Sequence, residues 1–372
     1  MKKHLIFWTL AVIALSSCGK INSDGLYSRA YGEEVVFSLS NTSSPLKTKA
    51  EYSGDIDGEG IERIDWVIGD VISVACAQAE NTSFNYTVSS VTVDGHESDA
   101  ELSHDPGETG LRWKDEGIYN FYATSPVSTL FASGEAAFTL PRRQAPSSES
   151  GWNEDHTNFK AAVSSDYMQM TAKTSVEKEG EDPGDPVDLP FVMLPTVLEF
   201  TLKGEADMVV DSVKLESENW LTGEYQVHIN QAESPGSVFP SITLQSRLQK
   251  RSAAIGIRDG GYPVEIKAAT ETTDAESLTF TFMLLPTKIQ DLTFYLTRIV
   301  SGEPYTVKTE LRYSDSYLSD EFLTFDAHKK YLIKGMVVPE SVKWEIEGEV
   351  IVTPLVTVTS TDEKDYFNPI FE

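Results

Sequence analysis

Apolar and polar residues alternate with a period of two along most of the chain, and long runs with a helical period are scarce. In EEVVFSLS (Glu33–Ser40), Val35, Phe37 and Leu39 fall on one face, while Val36, Ser38 and Ser40 fall on the other. The same reading fits FNYTVSSVTV, GIYNFYATSPV, EAAFTLPRR, TVLEFTLKG, SVKLES, GEYQVHI, PVEIKAAT, SLTFTFMLLP, DLTFYLTRIV, YTVKTELRY and KKYLIKGMVV. These segments are rich in β-branched and aromatic residues, with Gly, Pro, Asn, Asp and Ser clusters between them. Strands at short intervals without intervening helices predict an all-β chain built of antiparallel sandwiches. Helical candidates are few and short: TNFKAAVSS and PSITLQSRLQK.

Two stretches interrupt the alternation. Ser43–Arg63, SSPLKTKAEYSGDIDGEGIER, reads as a polar, glycine-bearing loop after the first strand. Val176–Asp188, VEKEGEDPGDPVD, packs acids, prolines and glycines together with little to bury, and reads as the connection between two domains. The expected organisation is a sandwich over 50–180, a second over 181–339, and a tail of β character over 340–372.

The N-terminus follows a different pattern. Lys2, Lys3 and His4 precede an apolar run from Leu5 to Leu15 broken only by Thr9, too short to cross a bilayer as a helix but suited to a secretory signal. Leu15-Ser16-Ser17-Cys18 resembles a bacterial lipobox, which implies cleavage after residue 17 and acylation of Cys18. Each buried acyl CH₂ contributes about 0.8 kcal/mol, so two or more chains hold a protein on an outer-membrane surface without a spanning helix. An ordinary cleaved signal with an incidental cysteine is the bland alternative, and the lipoprotein is the reading the motif favours.

The formal charge of the 372-residue chain is −28, and losing Lys2 and Lys3 with the signal takes it to −30. Such a surface repels nucleic acid, whose binding needs clustered Lys and Arg. With Cys18 acylated, Cys76 has no disulfide partner, and its apolar alternating surroundings predict a small buried hydrophobe.

Chemistry-bearing patterns are weak. The six histidines are scattered singly, with no His-x-x-x-His or Cys-x-x-Cys spacing, and no Gly-x-Ser-x-Gly elbow or phosphate-cradling loop is present. DIDGEG (Asp55–Gly60) has acids two apart and a turn glycine, but Glu62 comes too early to close a calcium loop, so a solvated loop is the better reading. Trp66, Trp113, Trp152, Trp220 and Trp344 are spread over the chain, as core and edge packing requires rather than a sugar-stacking platform. No catalytic residue, metal or cofactor is predicted. The class to weigh against a structural role is a surface glycan-binding lipoprotein of an outer-membrane uptake system, which needs aromatics grouped on one exposed face.

DWVIGDVISVAC carries the pattern W-x-x-G-D-x-I-x-V at Trp66, Gly69, Asp70, Ile72 and Val74. A Gly-Asp pair there makes a turn feeding a strand, with the tryptophan packed beside it. This pattern resembles the N-terminal domain of the fimbrillin family of Bacteroidales lipoproteins, which supplies type V pilins and accessory subunits. Further landmarks follow in the family's order: YNFYATSP (Tyr119–Pro126), TLPRRQ (Thr139–Gln144), LPFVMLPTVLEFTL (Leu189–Leu202), LTGEYQV, FMLLPT and LTFDAHKKYLIKGMVVP. The resemblance spans roughly Glu33 to Pro339.

The resemblance implies two tandem transthyretin-like sandwiches and assembly by strand exchange. A protease removes the N-terminal strand, and a neighbouring subunit's extended segment fills the groove. On this chain the displaceable strand falls in 18–49, at EVVFSLS. The implied cut lies between Lys49 and Ala50, where the family often has arginine, with Arg29 an alternative that would leave the strand in place. Glu349–Ser360, EVIVTPLVTVTS, is the candidate donor; an edge strand on its own domain is the alternative for this tail. The implied partners are membrane lipid through Cys18, other fimbrial subunits, and surface ligands of a host or of other bacteria.

Overall fold

The computed structural model describes residues 32–41, 51–56, 61–94, 97–179, 185–233, 240–244, 250–289, 291–312, 323–327, 329–338 and 341–352. Strands are numbered β1–β28 along the chain. The first sheet runs in spatial order β13 (Val187–Asp188), β1 (Phe37–Asn41), β6 (Glu97–Ser103), β5 (Ser83–Asp94), β4 (Val71–Ala75), β7 (Gly117–Ser125), β12 (Met170–Lys178) and β14 (Phe191–Met193). The outermost strands β13 and β14 are separated in sequence only by Leu189 and Pro190, a span of roughly 10 Å at full extension. The sheet must therefore curl until its edges approach, and the Thr174 hydroxyl on β12 donates to the Asp188 carbonyl on β13 at 2.6 Å.

A four-stranded sheet, β18 (Pro240–Leu244), β17 (Gly223–Ala232), β9 (Glu135–Leu140) and β8 (Thr129–Leu130), packs on it. Phe138, Leu140, Tyr225 and Val227 from this layer join Phe37, Ile72, Val74, Tyr86 and Phe121 in one buried cluster. The second sandwich faces the sheet β10 (Gly151–Trp152), β11 (Asn158–Ala161), β22 (Ser277–Leu284), β15 (Thr196–Gly204), β27 (Lys329–Val338), β28 (Ser341–Val352), β3 (Ile61–Asp65), β2 (Glu51–Ile56) against a six-stranded one. That partner is β20 (Arg258–Asp259), β21 (Tyr262–Ile266), β16 (Met208–Ser217), β24 (Asp291–Val300) and β25 (Glu303–Arg312), with β19 (Ser252–Gly256) also on β16. Phe200, Phe280, Phe282 and Phe294 form its centre, with Phe200 and Phe280 stacked at 5.3 Å. β23 (Thr287–Ile289) and β26 (Leu323–Phe325) form a separate pair.

The all-β expectation holds, and the chain folds as β-sandwiches; the one helical turn among the described residues is Ser165–Tyr167. Both helical candidates are corrected. TNFKAAVSS supplies β11, where Phe159 and Ala161 are buried and Asn158 and Lys160 are not, and the PSITL part of the second candidate is β18, while its residues 245–249 lie outside the described residues. For β11 two turns of helix would offer less burial than a place beside β22. The loop reading of 43–63 is corrected in part, because β2 and β3 pair with each other and β3 pairs with the end of β28.

Candidate functional site

The strand whose removal the sequence raises occupies the first core. Val35, Phe37 and Leu39 are at most 1% exposed, whereas Val36 between them is 60% exposed. Phe37 meets Tyr86 and Phe121 edge-on, both at 5.2 Å. Burying one such aromatic or branched side chain contributes roughly 1.5–3 kcal/mol. β1 runs antiparallel to β6, with Leu39 opposite Ala100, and parallel to β13, with Phe37 opposite Val187. The Val187 amide donates to the Val36 carbonyl at 2.8 Å and the Leu189 amide to Ser38 at 3.1 Å. Without β1 the sheet has a gap between β6 and β13, lined by apolar side chains and unpaired backbone.

The leading end of this segment is held by polar groups. The Glu34 carboxylate pairs with His104 Nε2, while His104 Nδ1 reaches the Asp105 carbonyl at 3.1 Å. The His104 ring packs edge-on against Phe84 and Tyr86. The Asp105 carbonyl raises its pKa most, partial desolvation opposes this, and the charges of Glu34 and Glu108 add to the rise. The Tyr86 hydroxyl accepts from the Leu111 amide at 2.7 Å, and burial pushes its pKa well up. Gly110 has to be glycine here, since a Cβ would collide with the Glu34 carboxylate and lie 2.6 Å from the Tyr86 hydroxyl. Arg112 Nη1 donates to the Gly32 carbonyl at 2.7 Å, and its buried Nε has no hydrogen-bond partner. Nearby, Lys178 is 4% exposed with its ammonium 5.7 Å from the Trp113 ring centre and no hydrogen-bond partner.

The Trp66–Asp70 motif lies just before β4. The Asp70 amide donates to the Val67 carbonyl at 2.9 Å, and the Asp70 side chain accepts from the Val67 amide at 3.1 Å. Gly69 takes φ +100°, the left-handed third position of the turn, and its amide donates to Val88. Trp66 packs edge-on against Phe191 of β14 at 5.0 Å. The turn thus fixes the entry of β4 against β5, and the tryptophan holds β14 at the sheet's far edge.

Gln144, the last residue of TLPRRQ, is 2% exposed and acts as a piece of strand. Its amide nitrogen donates to the Met283 carbonyl at 2.5 Å and its oxygen accepts from the Met283 amide at 2.9 Å. β11 ends opposite Phe280, so Gln144 continues the pairing along β22 where that neighbour stops.

Cys18, Arg29, Lys49, Ala50 and most of DIDGEG lie outside the described residues, as do 353–360 of the candidate donor. Glu349–Val352 closes β28, with Glu349 opposite Tyr331 of β27 and Ile351 opposite Ile61 of β3. Cys76 is buried, and its thiol donates to the Gln78 side chain at 3.3 Å. Trp66 and Trp113 sit in the core, Trp152 stacks on His156 at 5.3 Å, and Arg251 covers the half-buried Trp220. Among the described residues no three His, Cys, Asp or Glu side chains gather to hold a metal. Sequence spacing carries neither the pairing of Glu34 with His104 nor the strand-like bonding of Gln144. The one available signal was an acid directly before an apolar alternation.

The fimbrillin-like family model matches residues 61–354. No curated protein matches the chain. Among solved structures, a candidate cell adhesion protein of Bacteroides ovatus is 13% identical with a TM-score of 0.47, covering 86% of this chain and 98% of its own. One from Bacteroides uniformis is 16% identical, TM-score 0.47, covering 84% and 96%. A tip fimbrial protein of Porphyromonas gingivalis, truncated at its C-terminus, is 11% identical, TM-score 0.34, covering 84% and 99%.

Proposed function

The chain belongs to the fimbrillin-like family, and on that footing we propose that it is a structural and adhesive subunit of a type V fimbria. It is tethered to the outer membrane through acylated Cys18 and joins other subunits by strand exchange. The observation that carries this reading is the seat of β1, which fills the first core yet connects forward only through 42–50. A cut between Lys49 and Ala50 separates β1 from β2 and leaves every later strand in one piece. β1 is then held by its pairing to β6 and β13, by three buried side chains, and by the bonds of residues 32–35 to His104 and to Leu111–Trp113. An extended segment of another subunit competes for the same bonds and pockets, the mode of β-augmentation. A cut at Arg29 would free nothing, because β1 would remain attached to β2. No step in this function calls for a catalytic group, and an uncut chain serves as a lipid-held anchor.

N-terminal sequencing of the protein from its native cell envelope tests the proposal. A stalk subunit starts at Ala50. A product starting at acylated Cys18 under all conditions leaves only the anchor role, and a soluble unacylated product starting upstream of β1 removes the reading altogether.

A further inference from the structure

The groove that holds β1 is apolar along its length but polar at one end, where His104, the Tyr86 hydroxyl and the close-approaching Gly110 surround the Glu34 carboxylate. Among the described residues Glu34 is the carboxylate in direct contact with His104, Glu108 adds a more distant negative charge, and the buried Arg112 Nε has no hydrogen-bond partner. Sliding the occupant by one residue would turn Val35, Phe37 and Leu39 outward, and by two would draw Glu34 off His104. The end of the groove therefore reads an acid, and the acid sets the register.

The chain carries a second segment of this kind. Glu34-Val35-Val36-Phe37-Ser38 is matched residue for residue in type by Glu349-Val350-Ile351-Val352-Thr353. With Glu349 at the place of Glu34, Val350 and Val352 fall at Val35 and Phe37, and Pro354 and Val356 continue the apolar face. Pro354 forgoes one ladder bond at the place of Leu39, as an inserted strand can. In its own sheet Glu349, Val350 and Ile351 lie opposite Tyr331, Lys330 and Lys329 of β27, pairs that must open before the segment is donated. A bulge between Leu332 and Ile333 interrupts the pairing of β28 with β27, and beyond it Ile351 and Val352 meet β3 in a two-residue contact.

We propose that His104, Tyr86 and Gly110 form a register key, and that its partner in the assembled state is Glu349 of a second copy, whose segment from Glu349 takes the place of β1. This rests on the strand-exchange reading above and adds to it the residue that fixes the alignment. Charge-assisted pairing at this end makes the Glu349 carboxylate worth roughly tenfold in affinity.

The test uses the full chain nicked after Lys49, with labelled peptides 34–40 and 349–358 titrated by fluorescence polarisation at about pH 6, where histidine is largely protonated. Both peptides should bind, the Glu349→Gln peptide roughly tenfold more weakly, and the difference should shrink to within about twofold on a His104→Gln chain. If peptide 34–40 binds but 349–358 does not, or if Glu349→Gln changes nothing, the register key is wrong while strand exchange survives. If neither peptide binds, the groove does not exchange and both readings fall.

Discussion

Single side chains at the root of β1 tie a titration to the retention of a strand. His104 donates from Nδ1 to Asp105 and faces Glu34 through Nε2, so the pair is complete only when the ring is charged. The folded-state pKa lies above the usual histidine value. The stabilisation is therefore fully present below the unfolded value of about 6.5 and is lost as pH rises through the raised folded value. Hydrogen exchange of the Val35–Leu39 amides should show wild type better protected than His104→Gln at about pH 6, with the two converging by about pH 8. Equal protection at both pH values would exclude the ion pair as a clasp. Gly69 and Asp70 were legible at this scale because a turn is a local event set by four adjacent residues. His104 was not, because its partner lies 70 positions away in the chain.

The strands show where alternation suffices and where it does not. Val35, Phe37 and Leu39 were assigned to one face from spacing alone, and all three are buried. TNFKA was misread because a segment this short satisfies both periods, and its neighbour β22 decides between them. Truncating Phe37 to Ala removes a ring packed against Tyr86 and Phe121 and should cost about 3–5 kcal/mol. Urea unfolding followed by tryptophan fluorescence would read this, since Trp66 and Trp113 lie in the same cluster. A loss under 1 kcal/mol, the scale of a surface change, would mean that β1 contributes little to the first core.

At the scale of the whole molecule, strands distant in sequence share layers. β9 from the first half pairs with β17 from the second, and β11 pairs with β22. Gln144 bridges the same halves through Met283. Gln144→Leu keeps the volume but strips both bonds from a buried peptide, and should destabilise the chain by about 2–4 kcal/mol. Gln144→Glu should restore at most the Met283 amide bond, and only by desolvating a charge. Differential scanning calorimetry of the two variants would check this, and an unchanged Leu variant would show the contact to be dispensable.

The sequence by itself determined where most of the strands lie, though not β2, β3, β11 and β18, which of their faces turn inward, how Gly69 and Asp70 shape their turn, and the family to which these landmarks belong. Those properties follow from side-chain periodicity and local backbone preference, which neighbouring residues carry. Only the tertiary structure decided that β1 closes a gap between β6 and β13, that β2 and β3 join the far edge of the second sandwich, and that Glu34 meets His104. Strand pairing is made of backbone hydrogen bonds that are alike at every residue. The choice among partners is left to the burial of whole faces, a sum that exists only once the chain has closed on itself.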